Sequence, residues 1–381
     1  MNGFEKDELA RYGRQVILPG FGIGAQEKLK SARVLMVGLG GLGSPVSLYL
    51  CAAGIGTLGL VDRDVVELHN LHRQVLFSET DVGRSKVQAA AERLRGLNSH
   101  PRLEVHGEGI HPDNARELIR AYDIVVDGSD NFSTRYLVND ACVLEGKPLV
   151  SGSIFQNEGQ VAVFHPAQGG PCYRCLFPSP PAPGSVPNCA EAGVLGCLPG
   201  VIGSLQSNEV VKWITGLGDP LLGRLLHLDL ATGRTRTVQV KRDPSCPVCG
   251  KAPEIESIEP TRYFADVCRI ASNEEDGEEI EPQILSRRMQ AGGEVVLLDV
   301  REPFEREMAR IEPSLFIPMG SISEKWQSLS KEKDLFVYCH HGMRSLNVTR
   351  FLRNKGLSRV KNLSGGINAW SLTVDPQVPR Y

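Results

Sequence analysis

Two kinds of apolar pattern alternate along residues 1–250. Short runs of apolar residues are typical of buried strands, and longer segments with an apolar residue every three or four positions are typical of helices. The predicted strands are residues 33–37, 58–62, 124–127, 149–153 and 159–164. The predicted helices are residues 44–53, 86–97 and 200–216. Strands that alternate with helices predict an α/β fold built on a parallel, doubly wound sheet of the Rossmann-like kind.

The pattern changes after residue 250. Residues 251–279 contain two prolines and the acidic run Glu274-Glu-Asp-Gly-Glu-Glu279, which is typical of a solvated linker. Beyond it, strands at 295–300 and 335–338 and a helix at 344–354 predict a second, smaller α/β domain. We therefore expect a domain at 1–250, a linker at 251–279 and a domain at 280–381, and a chain of 381 residues is long enough for both.

Composition and charge exclude several classes of protein. Lys and Arg number 42 and Asp and Glu 45, so the formal net charge of −3 provides no basic field for a nucleic-acid backbone. No signal-peptide core and no membrane-spanning apolar run is seen, so we expect a cytoplasmic protein that does not bind membranes. In a reducing compartment, the ten cysteines are expected to be metal ligands, catalytic thiols or core residues.

A glycine-rich turn follows the first predicted strand. Gly38, Gly40 and Gly43 satisfy the G-x-G-x-x-G pattern, and Asp62 ends the next strand at about the distance expected of a ribose-binding acid. These residues by themselves also fit a nicotinamide-dependent dehydrogenase.

Charged residues further along favour a nucleoside triphosphate. A triphosphate under attack requires additional cations and a carboxylate for magnesium, and Arg73, Lys86 and Asp130 with Asn131 supply them. The alternative for a single Arg or Lys is a surface charge. Asp130 is favoured as functional because it follows the carboxyl end of a strand, where ligands bind in open α/β sheets.

Two C-x-x-C pairs have the spacing of a metal site. Cys172 with Cys175 and Cys246 with Cys249 would close a tetrahedral site of four thiolates. One such pair alone could be a redox pair, but two pairs favour structural zinc. A site with all four positions filled leaves none open for metal catalysis, so we expect it to stabilise the fold.

Several further motifs accompany these features in a fixed order. They are Arg11-Tyr-Gly-Arg14-Gln, Asn70-Leu-His-Arg73-Gln, Val82-Gly-Arg-Ser-Lys86 and Cys189-Ala-Glu-Ala-Gly-Val. With the glycine turn, Asp62, Asp130-Asn131 and the cysteine pairs, they make residues 5–250 resemble the MoeB/ThiF family, the bacterial relatives of ubiquitin-activating enzymes.

The resemblance implies an ATP-dependent adenylyltransferase. Its substrate would be the C-terminal carboxylate of a small ubiquitin-like sulfur carrier ending in Gly-Gly, which attacks the α-phosphorus of Mg-ATP to give an acyl adenylate and pyrophosphate. Gly41 and its neighbours would approach the phosphates, Asp62 the ribose, Arg73 and Lys86 the developing charge, and Asp130 would hold Mg²⁺. The stretch His69, Asn70, Leu71 and His72 belongs to the same binding motif.

The resemblance also implies two features outside the nucleotide pocket. The arginine matching Arg14 reaches the site of a neighbouring subunit, so a homodimer is expected. Cys189 matches a position that can carry a covalent link to the carrier, although a bystander role is equally open. For Cys51, Cys142, Cys197 and Cys268 we expect buried or linker positions with no chemistry.

The second domain has its own candidate nucleophile. Cys339 follows a predicted strand and precedes a helix, so its thiol would face backbone N–H groups and a helix N-terminus. Arg344 would complete the anion cradle, whereas His340 and His341, which we take as exposed loop residues, receive no role.

The cysteine loop has the spacing of a sulfurtransferase. Cys-x₄-Arg, with Leu297-Leu-Asp-Val-Arg301-Glu302 before it and Leu363-Ser-Gly-Gly-Ile-Asn-Ala-Trp370 after it, resembles a rhodanese domain over residues 280–381. The competing phosphatase signature is one residue longer. The resemblance implies that Cys339 carries a persulfide received from a sulfur donor.

An activated carboxylate and a persulfide together predict a thiocarboxylate at the end of the carrier. Attack by the Cys339 persulfide would give an acyl disulfide, and Cys189 could act as the resolving thiol. We expect the acidic linker to let Cys339 reach the adenylate. Molybdopterin, thiamine, tRNA-thiolation and cysteine synthesis all use such carriers, and the sequence does not distinguish them. A non-catalytic scaffold is the remaining alternative, but it would have lost the phosphate contacts.

Overall fold

The computed structural model describes residues 4–181, 193–263, 277–292 and 294–381. These residues divide into two compact units, an amino-terminal unit up to residue 263 and a carboxy-terminal unit from residue 277. Each unit has its own sheet and core. Among the described residues, no helix is both long and apolar enough to cross a membrane.

The amino-terminal unit contains the predicted alternation of strands and helices. Its strands are β1 Arg33–Val37, β2 Thr57–Val61, β3 Arg102–His106, β4 Ile124–Asp127, β5 Leu149–Phe155, β6 Glu158–Phe164, β7 Arg224–Asp229 and β8 Arg234–Gln239. Its helices are α1 Lys6–Val16, α2 Gly22–Ser31, α3 Gly43–Ala53, α4 Lys86–Leu97, α5 Ala115–Arg120, α6 Phe132–Leu144, α7 Tyr173–Leu176, α8 Leu198–Thr215 and α9 Pro260–Tyr263.

The sheet has the order β3-β2-β1-β4-β5-β6-β7-β8 and is parallel only from β3 to β5. Strands β6, β7 and β8 add to it in antiparallel pairs, so the predicted parallel sheet ends at β5 and these three strands of the eight depart from the prediction. The reason is local. Only residues 156 and 157 separate β5 from β6, and a connection this short joins antiparallel strands, since a parallel pair requires a crossover of a dozen residues or more.

Apolar residues of β1 point alternately to two separate cores. Val34 and Met36 pack in one core cluster, and Leu35 and Val37 pack in the other, on the opposite face of the sheet. A central parallel strand covered on both faces must be apolar at every position. This explains why residues 34–37 form a continuous apolar run instead of an alternating one.

Part of the expected linker packs onto the amino-terminal unit. Ile255 is buried beside the cysteine pairs, and Tyr263 is buried and donates a hydrogen bond to Asp140 Oδ2 at 2.8 Å. Ile255 and Tyr263 therefore attach this part of the expected linker to the unit, whereas most of the residues between them are exposed. Residues 264–276 lie outside the described residues, and for them the linker stays a prediction.

The carboxy-terminal unit is a five-stranded parallel sheet, in the described residues, with the order β11-β10-β12-β13-β9. Its strands are β9 Glu279–Ile280, β10 Val295–Asp299, β11 Leu315–Phe316, β12 Asp334–Tyr338 and β13 Val360–Leu363. Its helices are α10 Pro282–Gln290, α11 Pro303–Met308, α12 Ile322–Lys325, α13 Met343–Asn354 and α14 Gly366–Thr373. Strand β12 is central, so the loop after it lies at the middle of one sheet edge.

Candidate functional site

The glycine turn lies where the strand order reverses. Strand β1 has β2 on one side and β4 on the other, so the turn after β1 and the turn after β4 flank the crevice in which open α/β sheets bind ligands. Gly38 has a φ of +84°, which favours glycine. A side chain on Gly43 would place its Cβ 1.9 Å from the Gly38 carbonyl oxygen. The turn is therefore closed tightly on its own backbone, which suits close approach of a phosphate.

Asp62 lies directly against this turn. Its Oδ2 accepts a hydrogen bond from Leu39 N at 2.8 Å, and its Oδ1 accepts one from Asp64 N at 2.8 Å. Burial raises the pKa of Asp62, and the nearby positive charge of Lys86 partly opposes that shift. Lys86 is itself buried, and its Nζ lies 3.1 Å from Asp64 Oδ2. The structure thus brings the predicted ribose-binding acid and one predicted phosphate-binding cation together.

Arg73 is held by its own sequence neighbours. Its Nη1 donates to the His69 carbonyl at 3.1 Å and its Nη2 to Asn70 Oδ1 at 3.0 Å, and Nη1 lies 2.8 Å from His72 Nε2. Burial, with the charge of Arg73, lowers the pKa of His72, which favours a neutral ring beside the guanidinium. A Cβ on Gly41 would lie 3.7 Å from Arg73 Cγ, so this cation borders the glycine turn.

Leu71 packs against the core beneath the same segment. The stretch 69–72, predicted as part of the binding motif, therefore positions Arg73.

The turn after β4 lies against the glycine turn. A Cβ on Gly38 would lie 3.1 Å from the Gly128 carbonyl oxygen, two residues before Asp130. Asp130 is exposed at this edge, and Asn131 begins α6 by accepting a hydrogen bond from Thr134 N at 2.8 Å. The predicted acid thus lies on a short turn held by a helix cap.

Sequence reasoning did not single out Asp127 as a functional residue. Asp127 is fully buried, and its Oδ1 accepts hydrogen bonds from Ser129 N at 2.9 Å and Ser129 Oγ at 2.6 Å. Its Oδ2 lies 3.5 Å from Arg135 Nε, and its carbonyl accepts from Gln206 Nε2 at 2.8 Å. These contacts fix the turn that carries Asp130. The signal was available, because an acid that ends a fully apolar strand is buried and requires partners.

The remaining predicted residues of this unit are not all brought together. Arg14 lies exposed in the last turn of α1, and Cys189 lies outside the described residues. Cys51 and Cys142 are buried as expected, and burial raises the pKa of Cys51 to about 11. Cys197 is exposed at the start of α8, so its expected burial is wrong, and Cys268 lies outside the described residues.

The four cysteines of the two pairs form one cluster. Their ligand atoms all lie within 4.8 Å of one another, with Sγ separations of 3.9 Å for Cys172–Cys175, 3.5 Å for Cys172–Cys246 and 3.4 Å for Cys175–Cys249. Four sulfurs at the ordinary Zn–S distance around a tetrahedral zinc would be about 3.8 Å apart. Hydrogen bonds from the neighbouring Cys172 and Cys249 thiols lower the pKa of Cys175 below its ordinary value. The cluster can hold a zinc ion.

Cys339 lies directly after the central strand β12 and begins the loop that leads into α13. Its Sγ accepts hydrogen bonds from Gly342 N at 3.1 Å and Ser345 Oγ at 3.3 Å. Gly342 has a φ of +93°, which turns the loop so that this N–H faces the sulfur. Donors that converge on sulfur stabilise a thiolate or persulfide anion.

Arg344 forms a two-point ion pair with Glu305. Its Nη1 and Nη2 each donate to a different oxygen of that carboxylate at 2.7 Å. Hydrogen bonds and charge from Arg344 counter the burial of Glu305 and lower its pKa. Arg344 thus ties the end of the cysteine loop to α11, and its part in the anion cradle stays a prediction.

His340 is buried, so the expectation that both histidines are exposed is wrong for this residue. Its ring stacks on His341 at 4.0 Å and on Tyr381 at 4.3 Å between centroids. Burial lowers the pKa of His340 to about 4, so the ring is neutral near pH 7. His341 is exposed, as expected.

Two family models match this chain. Residues 12–248 match the ThiF family and residues 281–373 match the rhodanese-like domain. The chain therefore belongs to the ThiF family and carries a rhodanese-like domain after the ThiF part.

Its relatives over the full length combine the same two parts. It is similar to "Probable adenylyltransferase/sulfurtransferase MoeZ" of Mycobacterium tuberculosis, with 42% identity over 385 residues that cover 100% of this chain and 97% of that protein. It is also similar to "Adenylyltransferase and sulfurtransferase MOCS3-2" of Zea mays, with 41% identity over 393 residues, 98% of this chain and 81% of that protein. Both names describe the two activities that a ThiF part and a rhodanese part fit.

Solved structures resemble the amino-terminal part. The crystal structure of E. coli MccB with ATP matches at a TM-score of 0.53 and 28% identity, over 63% of this chain and 74% of that chain. The Rossmann-like fold of the first unit is thus shared with a protein whose structure contains ATP.

Proposed function

We propose that the protein adenylates the C-terminal Gly-Gly carboxylate of a ubiquitin-like sulfur carrier and then converts it to a thiocarboxylate. The observation that carries this proposal is the pairing, in one chain, of two sites. One is a glycine turn with Asp62, Lys86 and Arg73 around it, and the other is a cysteine whose sulfur accepts two hydrogen bonds. The family match supports adenylation over the nicotinamide-dependent alternative.

The first step joins the carrier to AMP. A carboxylate oxygen of the carrier attacks the α-phosphorus of ATP, the bond to the β-phosphate oxygen breaks, and pyrophosphate leaves. In our proposal the backbone of 38–43 binds the phosphates, Asp62 binds the ribose, and Arg73 and Lys86 stabilise the charge that develops. Asp130, on the turn supported by Asp127, would hold Mg²⁺. The carrier carboxylate is already ionised at neutral pH, so no general base is required.

The second step transfers sulfur. Cys339 first receives a sulfane sulfur from a persulfide donor, and the donor leaves as a thiolate. The terminal sulfur of the Cys339 persulfide then attacks the acyl carbon, and AMP leaves with the electron pair of the broken C–O bond.

The acyl disulfide that results must be opened by a thiolate. Attack on the Cys339 sulfur breaks the S–S bond, releases the thiocarboxylate and leaves a protein disulfide. Cys189 is our candidate for this thiolate, and a reducing thiol must then restore both cysteines.

A structural role for zinc is part of the proposal. Cys172 precedes the first residue of α7 and Cys175 lies within this helix, and the buried ion pair of Arg174 with Asp140, at 2.8 Å, ties the same helix to α6. Zinc at the cluster would join this helix to residues 246–249.

A homodimer is proposed because one predicted residue, Arg14, acts across a subunit boundary in the family. A cavity of about 730 Å³ lies beside Arg73, and apolar side chains dominate its wall. Tyr49 and Val75 are each 58% exposed there, and a second copy of the chain would cover them.

Carrier-dependent exchange of labelled pyrophosphate into ATP tests the first step. We expect exchange with a Gly-Gly carrier of the host and none when the carrier lacks its last glycine. Cys339→Ala should retain exchange and lose thiocarboxylate formation, because only the second step uses this sulfur. Absence of exchange with every such carrier would overturn the adenylation proposal.

A further inference from the structure

Tyr381 lies against the Cys339 loop, far from it in sequence. Its ring stacks on the ring of His340, the residue after Cys339, with 4.3 Å between the ring centroids and an interplanar angle of 22°. Tyr381 is itself partly buried, and His340 is 5% exposed, with His341 on its other face. The two neighbouring rings therefore fix the side chain next to Cys339.

The Tyr381 hydroxyl contacts the charged groups beneath the loop. It accepts a hydrogen bond from Arg301 Nη1 at 2.6 Å and donates one to Glu305 Oε1 at 3.2 Å. Glu305 in turn accepts both hydrogen bonds from Arg344, at the far end of the same loop. Tyr381 thus contacts the loop directly at His340, next to Cys339. It is also connected to Arg344, at the other end of the loop, through the Glu305 carboxylate.

Backbone hydrogen bonds from α14 hold the first two residues of this loop. The Cys339 and His340 carbonyls accept hydrogen bonds from Ile367 N at 2.9 Å and Asn368 N at 3.1 Å. The Sγ of Cys339 accepts from Gly342 N at 3.1 Å, so the N–H cradle depends on where residues 340–342 lie. Cys339 is fully buried in this arrangement.

We propose that Tyr381 is a positioning residue for sulfur transfer, which keeps the 339–344 loop in the conformation that aims the Gly342 N–H and the Ser345 hydroxyl at the sulfur. The proposal rests on the proposed role of Cys339. Tyr381 acts through His340 and Glu305 and does not itself touch the reacting sulfur.

The experiment compares three variants of the full-length protein with two measurements. Sulfur transfer is measured as thiocyanate formed from thiosulfate and cyanide: thiosulfate sulfur goes to Cys339 with release of sulfite, and cyanide removes it. Access to the thiol is measured as the rate of Cys339 alkylation by iodoacetamide, located by peptide mass spectrometry. Tyr381→Leu removes ring and hydroxyl, Tyr381→Phe keeps the ring, and Gln377→Ala is an exposed control on the same segment.

The two measurements should change in opposite directions. Tyr381→Leu should lower kcat for sulfur transfer about tenfold, because the donors are misplaced, and should raise the alkylation rate at least about threefold, because the loop opens. Cys339 in Tyr381→Phe should be alkylated at the wild-type rate, and this variant should transfer sulfur at an intermediate rate. Gln377→Ala should match wild type in both measurements.

Other results would overturn the proposal. Unchanged transfer and alkylation in Tyr381→Leu would do so, as would lower transfer that Tyr381→Phe does not partly rescue. If Tyr381→Leu fails to fold, His340→Leu removes the same stack from its other side and should give the same opposite changes. A wild-type protein that never loads sulfur on Cys339 would instead contradict the proposed function.

Discussion

The buried, neutral His340 predicts a defined acid sensitivity of the carboxy-terminal unit. The unfolded chain binds a proton on this ring near the ordinary pKa of 6.5, whereas the folded protein binds it near 4. Burial is the main cause. His341, Arg301 and Arg344 add to it, and the carboxylate of Glu305 opposes it. The folded state therefore has its full stability above about pH 6.5 and loses stability as the pH falls toward 4.

The size of the effect follows from these two pKa values. Between pH 7.5 and pH 5, protonation of the unfolded chain at this one residue lowers the free energy of unfolding by about 2 kcal/mol. His340→Phe keeps an aromatic ring in the stack and removes the titrating group. The difference between wild type and His340→Phe should therefore shift by about 2 kcal/mol in favour of the variant over this pH range.

Urea unfolding followed by tryptophan fluorescence measures this difference. The chain has three tryptophans, and replacing Trp213 by Phe leaves Trp326 and Trp370, both in the carboxy-terminal unit. His341→Phe is the matched control, because it changes the exposed neighbour and should keep most of the pH dependence. A wild-type minus His340→Phe difference that stays constant from pH 7.5 to 5 would refute the reasoning.

Three further predictions concern the amino-terminal unit. Mixing Arg14→Ala with Arg73→Ala should restore about a quarter of wild-type pyrophosphate exchange, because about half of randomly formed dimers are mixed and each has one complete site; no recovery after subunit exchange would contradict a shared site. Cys246→Ser should lose zinc by elemental analysis and lower Tm by several degrees, since metal binding contributes to folding, and full zinc content in the variant would count against the cluster. Asp127→Ala should lower the free energy of unfolding by about 3 kcal/mol and reduce exchange, because the buried Ser129 hydroxyl loses its acceptor and Arg135 Nε loses the carboxylate oxygen that lies 3.5 Å away; an unchanged free energy of unfolding would show that the turn does not depend on this acid.

Local signals accounted for much of the fold. The apolar runs of β1 and β4 and the helical spacing of α4 were predicted within a residue or so, because central strands and amphipathic helices leave clear periodic patterns. Strand β8 was missed because every residue of Arg234–Gln239 is exposed and an edge strand has no buried face to mark it. The antiparallel pairing of β6, β7 and β8 follows from the short connection between β5 and β6, and the apolar pattern does not indicate the length of a connection.

The candidate sites also contain features that a local motif predicts and features that depend on contacts between distant residues. The glycine turn, Asp62 and the cysteine pairs are local motifs, and the structure brings their members together. The contacts of Arg344 with Glu305 and of His340 with Tyr381 join residues 39 and 41 positions apart, and no spacing rule links them. The burial of His340 depends on that distant tyrosine, which is why the sequence suggested an exposed loop.

The most direct test of the central claim is the mass of the carrier after a single incubation. The full-length protein would be incubated with a Gly-Gly carrier, Mg-ATP, a persulfide donor and a reducing thiol, and the intact carrier analysed by mass spectrometry. The account predicts a carrier heavier by the difference between sulfur and oxygen, formed only with ATP and lost in Cys339→Ala. A carrier that is adenylated yet never gains sulfur, or that gains it equally with Cys339→Ala, would contradict it.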